Sequence, residues 1–123
     1  MKLINRGAIV VRVKQPFIDW LNQLPDTTTP YTADDFKEDC TVLLIPDFPS
    51  LEEMEAFINP LKPDLFEEEL LNYSDNPRLW PDDLTARRFD AWFDLEVHSI
   101  VYDAAATPIV VEEDNEDEDE DTW

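Results

Sequence analysis

Apolar and polar residues alternate from Ala8 to Lys14. Ile9, Val11 and Val13 fall on one side, Arg12 and Lys14 on the other. Period-two alternation predicts a strand with one covered and one wetter face, which suggests a sheet edge. The period changes at Pro16. Phe17, Trp20, Leu21 and Leu24 recur at helical spacing, with Pro16 suited to a first turn and Pro25 closing the stripe. A polar loop is expected over 26–32 and a short helical turn around Ala33 to Asp39. Thr41 to Ile45 carries the unbroken apolar run Val42-Leu43-Leu44-Ile45, closed by Pro46. Strands buried on both faces have this pattern, so the run is placed at the sheet centre.

Ser50-Leu51-Glu52-Glu53 has the form of a capping box, serine accepting from the N3 amide and Glu53 reaching back. Leu51, Met54, Phe57 and Ile58 then give a helix face. Asn59-Pro60 breaks it, because the residue before a proline is pushed out of the helical region. A second helix is expected from about Pro63 to Tyr73, with Leu65, Phe66, Leu70 and Tyr73 inward and Glu67 to Glu69 mostly outward. Asp75-Asn76-Pro77 reads as a turn and Arg78-Leu79-Trp80-Pro81 as an anchored connector. A third helix is expected over Asp83 to Phe93, burying Leu84, Phe89, Trp92 and Phe93. Leu95 to Tyr102 alternates as a strand, and Thr107 to Val111 is expected to add a short edge strand.

These elements predict an α+β fold, a small three- or four-stranded sheet covered by helices. Residues 1–111 form a single domain in this reading, followed by an acidic, disordered tail over 112–123. The chain has one glycine, Gly7, which disfavours an all-β fold built on tight hairpins. Hydrophobic residues make up 43% of the 123 positions, enough for a core despite the charge.

Charge then changes the picture. The formal net charge is -21, and nine of the ten residues from Glu112 to Asp121 are acidic. Residues 1–111 still hold twenty-one acids against nine bases. Such a field repels nucleic acid and anionic membrane and attracts basic protein surfaces. Lys2, Arg6, Arg12 and Lys14 precede the first acid, Asp19, and make a basic edge on which the tail could fold. The single cysteine, Cys40, rules out an internal disulfide and fits a reducing cytoplasm. No signal peptide is read at the N-terminus, and no apolar run approaches membrane-spanning length. No cofactor is implied, and a monomer is expected from the like charge.

Candidate chemistry is sparse. Asp94, Glu96 and His98 alternate, so they share one sheet face and give a metal-dependent or acid-base alternative. With one imidazole and no HxH or HExxH, an ordinary strand face is the simpler reading, and no metal site is expected. The acid clusters lack the calcium-loop spacing and glycine. For covalent catalysis Cys40 and His98 are the only nucleophile–imidazole pair read here, and no phosphate-binding glycine loop exists. The sequence therefore favours a binding role over an enzymatic one.

The acidic run ending in Thr122-Trp123 resembles the C-terminal tip of bacterial single-stranded-DNA-binding proteins, whose terminal aromatic and chain carboxylate enter a basic-rimmed pocket on partners. This chain has Thr-Trp where that family has Pro-Phe. In size and charge alone the chain is similar to immunity proteins that cap nuclease toxins and to DNA mimics. The expected function is an acidic module docking on a basic partner surface, one that handles nucleic acid. Glu52, Glu53, Glu67, Glu68 and Glu69 would form the binding rim, with Trp123 as an anchor. A homo-oligomeric structural protein is the third alternative.

Overall fold

A computed structural model describes residues 1–112. Two strands open the chain, β1 (Lys2–Leu3) and β2 (Arg6–Val13), followed by helix α1 (Gln15–Asn22) and strand β3 (Thr41–Pro46). Helices α2 (Leu51–Ile58), α3 (Lys62–Leu71) and α4 (Ala86–Trp92) come next, then β4 (Phe93–His98) and β5 (Tyr102–Asp103). The fold is α+β, with helices on one side of an antiparallel three-stranded sheet ordered β3-β2-β4. A separate two-stranded ladder pairs Lys2 with Asp103 and Leu3 with Tyr102. No helix of the described residues is long and apolar enough to cross a membrane.

The sheet order reverses the expectation from pattern. β2 is the central strand, with Ile9 opposite both Leu43 and Val97, and Val11 opposite both Thr41 and Leu95. β3 is an edge. Its Ile45 is buried, but Val42 and Leu44 are 57% and 45% exposed on the face away from the helices. An apolar run is compatible with burial on both faces but does not require it; here only one face has helices to cover it.

The helices dictate which face of β2 is covered. Gly7, Ile9 and Val11 are buried beneath them. Gly7 allows close approach: a Cβ there would stand 3.0 Å from Met54 Cε of α2. At the other end of β2, Val11 joins Phe17, Trp20 and Leu21 of α1, Leu65, Phe66 and Leu70 of α3, and Phe89 and Phe93. Rings dominate this cluster: Phe17–Phe93 centroids lie 5.0 Å apart, Phe66–Phe93 5.5 Å and Phe89–Phe93 4.7 Å. Leu43 and Leu95 touch both this cluster and the smaller one of Ile9, Ile45, Met54 and Ile58.

Local boundaries follow from caps and prolines. Ser50 Oγ accepts from Glu53 N–H at 3.2 Å and starts α2. At Pro60 the chain does not leave the helical region: Asn59 keeps φ -54 and ψ -45, and a 3-10 turn (Asn59–Leu61) leads directly into α3. α4 begins three residues later than expected because Thr85 caps it, its hydroxyl accepting from Arg88 N–H. Phe93 belongs to β4, extended at φ -140 and ψ 150, so helix passes into strand with no loop. β4 ends at His98; Tyr102 pairs with β1 instead. Thr107 to Val111 forms no strand and is exposed. The connector after α3 is fixed by indoles: Trp20 Nε1 donates to Leu79 O at 2.7 Å and Trp80 Nε1 to Ser74 O at 3.0 Å. The acidic tail from residue 113, with Trp123, lies outside the described residues.

Truncating Phe66, fully buried at the ring junction, is expected to cost about 3–5 kcal/mol of folding stability. Trp92, only half-buried, should cost less. Urea unfolding of Phe66→Ala and Trp92→Ala checks both, and an equal loss would show that the two rings carry the same packing.

Candidate functional site

Two acidic regions and one buried acid emerge from the fold. The first region is the outer surface of α2 and α3. Glu52 and Glu53 occupy the first turn of α2, where the helix dipole favours them, and both are exposed. Glu67 and Glu68 are exposed on α3. Among the described residues, the Lys and Arg ion pairs within 4 Å use Glu96, Asp94, Asp34 and Asp90. None uses an acid of α2 or α3. Lys62, the one base in these two helices, is turned to Asp90 of α4 at 2.7 Å.

The second region is the helix-free face of the sheet. Asp94, Glu96 and His98 share that face as their alternation requires, and all three are exposed. They lie in a network with the basic edge. Arg12 Nε is 2.9 Å from Glu96 Oε1, His98 Nε2 is 3.1 Å from Glu96 Oε2, and Lys14 Nζ is 3.7 Å from Asp94 Oδ1. The hydrogen bond from Arg12, then that from His98, holds the Glu96 carboxyl below its ordinary value; the same bond raises Arg12. Both oxygens of Glu96 are thus engaged by neighbours. Among the described residues no group of three or more His, Cys, Asp or Glu has metal-holding geometry. Arg12 and Lys14 are thus paired with acids of β4, while Lys2 and Arg6 are exposed at the start of the sheet.

Glu69 departs from its expected place on the rim. It is 5% exposed, the one charged residue in the buried set. The reason is helical phase. Leu65, Phe66, Glu69, Leu70 and Tyr73 recur at spacings of one, three and four, so position 69 lies on the stripe that packs on the sheet. This spacing was the available signal for a buried acid.

A cavity of ≈ 200 Å³ lies beside Glu69, walled by Phe36, Asp39, Cys40, Thr41, Asn72 and Tyr73. Among the described residues no Lys, Arg or His stands within 4 Å of the Glu69 carboxylate. Burial pushes its pKa up, the Thr41 side chain partly offsets this, and Glu68 adds to the rise. Tyr73 is 39% exposed at the mouth, and its hydroxyl is raised by burial first, then by Glu69, Tyr31 and Asp39. Cys40 is half-buried on the cavity wall, 3.6 Å from Arg12 Nη1. The segment carrying Phe36 is braced by a 3-10 turn (Ala33–Phe36), whose Thr32 N–H donates to Asp35 Oδ2 at 2.8 Å.

Comparison with protein-family models, curated proteins and solved structures found no match.

A carboxyl whose folded pKa is raised binds its proton more tightly in the folded state. Its contribution is most favourable below the ordinary glutamate value of 4.5 and is lost as pH rises through the raised value. Glu69→Gln, isosteric and uncharged, should raise the melting temperature at pH 7. The advantage should shrink as pH falls toward 4.5. A variant less stable than the parent at pH 7 would show that the ionised carboxylate is held by the fold.

Proposed function

We propose that the chain is an acidic protein-binding module whose helical surface docks on a basic partner, one that handles nucleic acid. A single observation carries the reading: the exposed acids of α2 and α3 are clustered on two adjoining helices and have no base of their own chain within 4 Å among the described residues, unlike Asp34, Asp90, Asp94 and Glu96. Glu52, Glu53, Glu67 and Glu68 keep their full field toward solvent. Such a field accelerates encounter with an oppositely charged surface by about 10–10³ and repels nucleic acid itself. At 0.15 M salt, charges more than about 8 Å apart are screened, so near-contact pairs must hold the complex once formed. A cytoplasmic setting suits the one unpaired cysteine. Trp123, the aromatic residue that follows the acidic run, belongs to this reading as an added anchor.

A second reading, pairing of two copies, is favoured by β3. In a chain of 32% charged residues this edge strand has none, and its own Val42 and Leu44 are exposed. Edges of this kind pair with other strands. The net charge of -21 on each copy opposes that contact.

Immobilised full-length chain should retain basic proteins from a nuclease-treated cell lysate at low salt, and duplex DNA should displace them. The variant Glu52→Gln, Glu53→Gln, Glu67→Gln, Glu68→Gln should retain markedly less, with the difference closing as salt rises. Equal retention by the variant would overturn the docking reading. Sedimentation of the free protein decides on the second: a dimer abolished by Val42→Lys supports strand pairing, and a monomer removes it.

A further inference from the structure

We infer that the cavity beside Glu69 receives one arginine side chain of the partner, with the Glu69 carboxylate as its counter-ion. The inference rests on the basic-partner reading above and names the side chain that such a partner would insert.

Four observations converge on it. Glu69 is buried to within 5% of full enclosure and lines the cavity, with no base within 4 Å among the described residues. A buried carboxylate without a counter-charge is costly, and an arriving cation relieves that cost. Size narrows the ligand. At ≈ 200 Å³ the cavity falls below the roughly 300–1,000 Å³ that drug-sized ligands occupy, which leaves room for a side-chain head. Its walls suit a guanidinium on an alkyl stem. Phe36 and Tyr73 present rings 6.5 Å apart at 69°, Val11 and Val13 supply apolar wall, and Thr41 and Asn72 supply acceptors. Asp39 adds a second negative charge.

These walls favour arginine over lysine. A guanidinium is planar, stacks on aromatic faces, bonds a carboxylate with two parallel donors and is more weakly hydrated than an ammonium. The chain's own arginine at this place does not fill the role. Arg12 touches the cavity wall through Cys40, at 3.6 Å, but its Nε is held by Glu96 at 2.9 Å on the other face of the sheet.

The test uses the full-length chain with two probes of equal charge, hexa-arginine and hexalysine peptides, titrated calorimetrically at 0.15 M salt. The parent should bind hexa-arginine about tenfold more tightly than hexalysine. Glu69→Gln should abolish that preference while its melting temperature at pH 7 stays equal or rises, separating loss of binding from loss of folding. Glu67→Gln with Glu68→Gln should weaken both peptides alike and keep the preference. Amide shifts on adding hexa-arginine should centre on Thr41, Cys40 and Asn72. An undiminished preference in Glu69→Gln, or shifts confined to α2, would overturn the inference and leave the docking reading standing. A parent that binds neither peptide even at low salt would overturn both.

Discussion

Everything in the fold depends on β2 being covered on one face only. It pairs on both sides, with β3 and with β4, and its buried residues Gly7, Ile9 and Val11 accept the whole helical layer. Phe17, Phe66 and Phe93 meet above it, so α1, α3 and the start of β4 are fixed by one set of rings. That geometry sets the phase of α3. Once Phe66 and Leu70 point at the sheet, Glu69 must follow them inward. The buried carboxyl is a consequence of helical spacing, and the aromatic packing around it offsets its cost.

The same one-sided coverage sorts the charges. On the open face, acids and bases alternate across strands and neutralise one another, as Arg12 does with Glu96 and Lys14 with Asp94. Exposed pairs of this kind contribute little to stability. On the helical side, α2 and α3 bring acids without partners. With their one base, Lys62, turned to Asp90 of α4, these two helices present unpaired acids to solvent, and that supports the docking proposal.

Much of this was legible in the sequence. The alternation of Ile9, Val11 and Val13 marked β2, the Phe17 to Leu21 stripe marked α1, and Ser50 marked the start of α2. These are local signals, fixed by period and cap. Strand order was not legible, because Val42-Leu43-Leu44-Ile45 reads the same whether the second face is covered or open. The wetter face of β2, with Arg12 and Lys14, suggested an edge. In fact those side chains are neutralised across the strand boundary by Glu96 and Asp94, a long-range pairing with no local signature. Glu96 and His98 were placed on one face correctly, but their engagement with Arg12 depends on the register of β2 against β4. Glu69 was hidden for a different reason: the triplet Glu67-Glu68-Glu69 reads as one solvated patch unless each residue is assigned its own helical phase.

The most direct test is the titration of the Glu69 carboxyl itself, followed by carbon-13 NMR in the free full-length chain and assigned with Glu69→Gln. A midpoint above the ordinary glutamate value of 4.5 is expected, since burial outweighs the help from Thr41 and no base stands within 4 Å among the described residues. A midpoint at or below 4.5 would mean that the carboxylate already has a stabilising partner, and the unpaired buried charge on which the site is built would not exist.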